Sequence, residues 1–262
     1  MEQKKLLLSL MVVGMMSSAA LAVAPIGPPV ASLAEGQYAV GAGYAMADLE
    51  VELQGAGPTV GRRGWQNAEV NAYYAKLGYG ISDTWCAGVT LGMSGIEADA
   101  DEIPVAGKDF DGDNKFMYGL TTKKTLHDNG TDTKWGVALQ YMRGGSKDSI
   151  TSTGTSFGNG AIGPFTNATV DIDWYVMQLA MGPSIQLNPD ICLYGGPFLM
   201  FVEADLHANA LGFSAEAEVS ERFQFGGYVG TMINLGGNAG LNLEFLLSNQ
   251  SWGAGIGAMF PL

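Results

Sequence analysis

The sequence predicts an all-β protein, an antiparallel up-and-down transmembrane β-barrel of about ten strands, with eight or twelve strands as alternatives. Apolar residues alternate with glycine, small or polar residues in Leu77–Met93 (LGYGISDTWCAGVTLGM), and again in residues 177–200 and 229–247. This alternation is typical of strands with lipid on one face and a polar lumen on the other. The chain of 262 residues holds 38 glycines, which favours turns and barrel interiors over helices. Long and short connections also alternate along the chain, as expected for such a barrel.

The N-terminal residues divide into two segments that precede the barrel. Residues 1–22 have the features of a signal peptide, with a basic start at Lys4 and Lys5, an apolar stretch over 6–16 and small residues before a cleavage site after Ala22. An uncleaved anchor is the alternative, although the apolar stretch is short for a membrane span. Residues 23–36 are proline-rich and aperiodic, so we expect an extended leader. The barrel is then assigned to residues 37–262.

The strands follow in order from position 37. The first strand, 37–53, changes its apolar parity beyond Ala47, which indicates a bulge. Asn129-Gly130 joins strands four and five and is a strong hairpin signal. Pro197 falls inside the seventh strand, where a closed barrel has no edge, and would have to lie at a bulge. The other strands are predicted at about 68–81, 85–96, 116–125, 134–142, 169–186, 191–206, 219–235, 239–247 and 251–260.

The connections alternate between long and short. Long ones are predicted at 54–66, 97–115, 143–168 and 207–218, against turns of a few residues at the other end. This asymmetry is expected of an outer-membrane barrel, with short inner turns and longer outer loops. The net charge of −13 argues against a nucleic-acid partner, which needs clustered basic residues.

The signal peptide, the GYG-turn-GVTLG hairpin and a last strand ending near an aromatic residue resemble bacterial outer-membrane β-barrel proteins of the small single-chain class. The resemblance implies the bacterial outer membrane as location and its lipid, lipopolysaccharide and assembly machinery as partners, with no cofactor. Such barrels usually end on the aromatic residue that the assembly machinery recognises. Here Phe260 is followed by Pro261-Leu262, so the assembly signal departs from the pattern.

The polar parity of the strands predicts the lining of the lumen. Buried charges must be paired in a narrow lumen. The lining is either a salt-bridged filling or the wall of a small polar channel that selects permeants. The predicted lumen residues are Lys76, Lys123, Gln140, Glu203, Arg222, Gln224, Asn242 and Glu244.

Two loop motifs are candidates for further chemistry. Asp109, Asp111 and Asp113 alternate around a glycine and form a weak calcium candidate, because hard cations bind several oxygen ligands. A solvated acidic loop is the alternative, since the match to a calcium loop is incomplete. We therefore expect no metal site.

A second comparison is with omptins, ten-stranded outer-membrane proteases with Asp-x-Asp and Asp-x-His pairs at the outer rim. Asp99 and Asp101 follow the third predicted strand, while Asp205 and His207 stand at the end of the seventh. An Asp–His pair can activate water. Exposed rim residues explain the same motifs, and no longer match to omptins is present. We expect no enzymatic activity.

The sequence thus predicts a small porin-like channel or a structural envelope protein. A surface adhesion or recognition barrel is the alternative, because loops 97–115 and 143–168 are large enough to bind a ligand. Cys86 and Cys192, the only thiols, are exported and could pair. Their strands are expected on opposite sides of the barrel, so two unpaired thiols are the other reading.

Overall fold

The computed structural model describes residues 24–54, 63–98, 110–150, 155–157, 160–162, 168–210, 213–236, 239–248 and 251–262. Within these residues, ten long strands form the fold, and no helix is long and apolar enough to cross a membrane. The strands are β1 (Tyr38–Gln54), β2 (Arg63–Ser82), β3 (Trp85–Ala98), β4 (Asp113–Asp128), β5 (Thr133–Ile150), β6 (Ala168–Asn188), β7 (Ile191–Ala210), β8 (Phe213–Gly236), β9 (Ala239–Ser248) and β10 (Ser251–Pro261). Short strands lie at Phe110–Asp111, Thr155–Phe157 and Gly160–Ile162.

The sheet closes on itself and confirms the predicted up-and-down barrel. Each strand pairs antiparallel with the next one in the chain. Closure comes from β1 and β10, whose ladder runs from Ala39↔Pro261 to Leu49↔Ser251. The β9–β10 hairpin is short, so β1 and β8 extend past it and pair directly at Leu53↔Val219.

The alternating pattern separates an apolar outer face from a filled interior. On β2, Tyr73, Leu77 and Tyr79 are exposed outward, while Ala72 and Tyr74, on either side of Tyr73, are buried. The core lies inside the barrel, because the inward side chains of most strands form one cluster of buried apolar residues. The interior is therefore packed and is more apolar than the predicted polar lumen.

Aromatic rings border the outer apolar band at two levels. Near the short turns, Tyr38 and Tyr79 have ring centroids 4.8 Å apart. Near the other end, Phe201 and Phe223 are 5.1 Å apart. Rings of this kind mark the two membrane interfaces in transmembrane barrels.

Four carboxylates form a row across neighbouring strands beyond the second aromatic level. Asp48 pairs with Glu69, Glu69 with Glu97, and Glu97 with Asp111. Glu69 and Glu97 are exposed. Like charges directly opposite each other repel, so this row requires water and marks where the wall leaves the apolar band. We call it the carboxylate row.

Several predicted loops are strand in the structure. Residues 143–150 belong to β5, while 207–210 and 213–218 belong to β7 and β8, which pair as far as Ala210↔Phe213. Residues 63–66 likewise belong to β2. These extensions lie beyond the apolar band, where water replaces lipid on the outer face and the alternation that identifies a strand is lost.

The sequence predicted two β-bulges, and the structure contains one of them. The bulge predicted in the first strand is confirmed by a register shift between Leu49 and Val51. The bulge predicted at Pro197 is wrong, since the β6–β7 register is the same at Tyr194↔Ser184 and at Phe198↔Ala180. The ladder is instead interrupted between these pairs, where Pro183 and Pro197 both lack an N–H to donate.

Candidate functional site: a lumen occupied by the N-terminal segment

Residues 24–36, which we call the lumen segment, enter the barrel from the end that carries the short turns. At the mouth, Gly36 N donates to Gly80 O at 2.9 Å, and Gly80 N donates to Gln37 O at 2.9 Å. Further in, Leu33 packs against Cys86 and Ala39. Residues 24–30 are all buried. The predicted leader therefore occupies the lumen.

The carboxylate of Glu244 on β9 binds the main chain of this segment. Ile26 N donates to Oε1 at 2.8 Å, and Gly27 N donates to Oε2 at 2.7 Å. The Tyr194 hydroxyl lies 2.9 Å from Oε2 and 2.5 Å from Asn242 Oδ1, and its single proton can bond to only one of the two. Because hydrogen bonds to an ionised acceptor are stronger than neutral ones, Glu244 is the strongest attachment point of the segment.

Polar side chains from three more strands bind the same main chain. The Lys76 ammonium donates to Pro25 O, and Gln140 Nε2 donates to Ala24 O at 3.1 Å. Thr125 Oγ1 accepts from Ala31 N at 3.1 Å. The contacts join main-chain atoms to side chains of β2, β4, β5 and β9, so the lumen binds an extended backbone.

Glycines in the wall provide the space for the segment. A Cβ on Gly136 would lie 2.5 Å from Pro29 O, which is closer than such atoms approach. A Cβ on Gly80 would collide with Ala34 O, and one on Gly255 with the Pro25 ring. Three strands thus lack a side chain where the segment comes closest, which indicates that wall and segment fit each other.

Six of the eight predicted lumen residues lie on the inward face. They are Lys76, Lys123, Gln140, Gln224, Asn242 and Glu244. Arg222 is paired with Val202, and its side chain lies outside the described residues.

Glu203 is misplaced by the prediction and lies on the outer face. It pairs with Tyr175, whose hydroxyl donates to the Glu203 carboxylate, while the neighbouring pair Val202 and Val176 carries the inward side chains. β7 has 20 residues, about twice the length that crosses a membrane. Its outer part therefore lies in water, where a charged residue can face outward.

Lys76 and Glu244 bind the lumen segment rather than each other. Among the described residues, no ion pair within 4.0 Å joins Lys76 or Lys123 to Glu244. The ion pairs that the structure does show lie at the strand ends, between Lys115 and Asp171 and between Lys134 and Asp128. Within the described part of the lumen, there is therefore no salt-bridged filling.

The part of the lumen beyond the segment is packed with large apolar side chains. Met117, Met142, Met200 and Phe198 are at most 1% exposed, and Trp174 is 5% exposed. Methionine side chains are flexible and repack at low cost. In this state the described residues leave no wide aqueous path through the barrel.

The catalytic and metal candidates are only partly described. Asp99, Asp101 and Asp109 lie outside the described residues. Asp205 is paired with Asp173 and Glu218, and His207 with Asp171 and Glu216, so the neighbours of this pair are other carboxylates.

Asp111 belongs to the carboxylate row, and Asp113 is paired with Lys147. The described residues contain no group of three His, Cys, Asp or Glu that could hold a metal ion. Cys86 and Cys192 are both free thiols.

The lumen segment itself is the functional element that sequence reasoning missed. The available signal was a proline-rich segment without periodicity directly before the first strand. Tyr194 was also missed, although it shares the inward parity of Phe198 on β7.

Comparison with known proteins gives similarity of fold alone. No family model matches the chain, and no curated protein matches it. Solved structures similar to it include the translocator domain of autotransporter NalP from Neisseria meningitidis, with 11% identity, 87% of this chain and 89% of that chain covered, and a TM-score of 0.45.

The outer membrane protein OprG from Pseudomonas aeruginosa has 10% identity, covers 88% of this chain and 97% of its own, and gives a TM-score of 0.42. Ail, the attachment invasion locus protein of Yersinia pestis, has 13% identity, with 86% and 99% covered and a TM-score of 0.34. At these values the comparisons carry no argument about function. The ten-strand closure, the apolar outer band and its aromatic borders give this chain the architecture of outer-membrane β-barrel proteins.

Proposed function

We propose that the protein lies in the bacterial outer membrane and acts as a small porin-like channel that its own lumen segment holds closed. The supporting observation is that Lys76 and Glu244, two charged lumen side chains, bind a segment with no strand of its own. Among the described residues, the main chain of the segment is not hydrogen-bonded into the sheet beyond its mouth, so it could leave as a unit although its residues 24–30 are buried. Its departure would expose Lys76, Lys123 and Glu244 to water. These are the side chains that would select solutes.

The location follows from the same features. An outward apolar band bordered by aromatic rings fits outer-membrane lipid on all sides, with lipopolysaccharide at the outer end. We infer export by the signal peptide of residues 1–22 and insertion by the outer-membrane assembly machinery. Intact mass of the protein purified from membranes tests the export step, since cleavage after Ala22 leaves a chain that begins at Val23.

Conductance across a planar bilayer tests the channel. The parent protein should be closed with rare openings, while a variant lacking residues 24–35 should conduct persistently. Replacing Lys76 and Lys123 by methionine in that variant should lower its preference for anions. A folded deletion variant that remains silent would overturn the proposal.

A structural envelope protein is the second candidate. It is favoured by the apolar packing around Trp174, Met117 and Met200, which continues beyond the lumen segment. Silence of the folded deletion variant is the result that would select it. Under this reading the segment only completes the core of the barrel.

A further inference from the structure

A small cavity lies between the lumen segment and the wall formed by β1, β2, β3, β4, β8, β9 and β10. Its volume is about 90 Å³, enough for one small ion or molecule. Lys76, Lys123, Thr121, Asn242 and Gly27 are among the residues that line it. The other walls are mainly glycine and apolar side chains.

The polar groups around this cavity are mostly hydrogen-bond donors. A Cβ on Gly27 would lie 2.9 Å from Lys123 Nζ and 3.8 Å from Asn242 Nδ2, so both groups face the same point. The amide oxygen of Asn242 lies 2.5 Å from the Tyr194 hydroxyl, which leaves the amide nitrogen turned toward Gly27. The buried hydroxyl of Thr121 has no partner among the described residues.

Lys123 differs from the other lumen charges because the segment does not bind it. Lys76 donates to Pro25 O, and Glu244 accepts from Ile26 and Gly27. Within the part of the chain that the structure describes, the Lys123 ammonium has no hydrogen-bond acceptor and no carboxylate within 4.0 Å. A buried charge of this kind is costly without a counter-ion.

The formal charges of this layer indicate the sign of a fitting ligand. The amines of Lys76 and Lys123 and the carboxylate of Glu244 carry a net charge of +1 when all three are ionised. One monovalent anion brings the layer to neutrality, whereas a divalent anion leaves an excess negative charge, which is again unfavourable.

We propose that this cavity binds one small monovalent anion, of the size of a halide or formate, between Lys123, Asn242 Nδ2 and the Thr121 hydroxyl. The anion completes the packing of the lumen segment against the wall, because it supplies the acceptor that the segment itself does not offer. The site does not depend on conduction, so it can be tested in a barrel that never opens.

The first test is thermal unfolding of the detergent-solubilised protein at constant ionic strength, with chloride replacing gluconate. We expect the unfolding temperature to rise with chloride and to saturate, as for a ligand bound only by the folded state. Formate should act like chloride, and sulfate should give no saturable rise. An unfolding temperature that is independent of the anion would overturn the proposal.

Two variants locate the effect. Lys123→Met should weaken chloride binding by about tenfold or more, because it removes the charged donor. Lys134→Met, at an exposed lysine in the turn region, should respond like the parent. If Lys123→Met keeps the parent response, chloride acts elsewhere and the site is refuted.

A crystal grown in bromide provides a readout that does not depend on the folding of any variant. An anomalous peak beside Lys123 Nζ would support the site. Bromide peaks at the surface alone would overturn it.

Discussion

Glu244→Gln should release the lumen segment while leaving the wall intact. The carboxylate accepts from Ile26 N and Gly27 N at 2.8 and 2.7 Å. A glutamine amide accepts from one of these donors and turns its own N–H toward the other. Each hydrogen bond to a charged group contributes about 1.5–3 kcal/mol. One lost bond and one donor facing a donor therefore cost about 2–4 kcal/mol of docking free energy.

At 1.4 kcal/mol per factor of ten, this raises the ratio of undocked to docked segment about 30- to 700-fold. The assay is the rate at which a small maleimide modifies Ala24→Cys, a position that is 1% exposed when docked. Cys86 and Cys192 are replaced by alanine in this background. When undocking is rapid, the labelling rate follows the undocked population.

The matched control is Glu69→Gln, which removes an exposed carboxylate on β2 outside the lumen. It should leave the labelling rate unchanged. A folded Glu244→Gln barrel whose labelling rate stays within about twofold of its parent would refute the view that Glu244 holds the segment.

Three further predictions concern the fit of the segment and the charges of the wall. Gly136→Val should displace Pro29 from its contact with β5. Because overpacking is destabilising, we expect the unfolding free energy to fall by about 1–3 kcal/mol, as measured by urea titration in micelles. Leu33→Cys should form a disulfide with Cys86 on oxidation, because the side chains of positions 33 and 86 pack together. This disulfide would hold the lumen segment in place and should suppress openings in bilayer recordings until a reductant is added. Glu69→Gln should stabilise the barrel by a few tenths of a kcal/mol at low salt, because it relieves repulsion within the carboxylate row, with the gain lost at high salt.

Each of these has its own control. Gly240→Ala changes a wall glycine whose nearest neighbour is the flexible end of Met232, and should cost less than Gly136→Val. Leu33→Ser cannot crosslink and should not respond to oxidant. A Glu69→Gln gain that is equal at low and high salt would exclude charge repulsion as its source.

The sequence predicted the barrel well because lipid on one side imposes a strict alternation within the membrane. That constraint placed Lys76, Lys123 and Glu244 on the inward face without any knowledge of their contacts. It fails at Glu203 and in residues 207–210 and 213–218, where β7 and β8 extend beyond the apolar band and the outer face can be polar.

The lumen segment was beyond this kind of reasoning for a different reason. Its contacts with Glu244 and Gln140 join main-chain atoms to side chains more than a hundred residues away, and no local pattern records such pairs.

The closing seam of the barrel has a consequence for the order of folding. β1 and β10 come from opposite ends of the chain, and Val40 meets Phe260. Pairings this distant in sequence form slowly, so closure should be the last step of assembly. Much of the seam consists of glycine and alanine, and Gly255 on β10 lies directly against Pro25. The segment that occupies the finished lumen thus also lies beside the last strand to dock, where it can help to set the register of that strand as the cylinder closes.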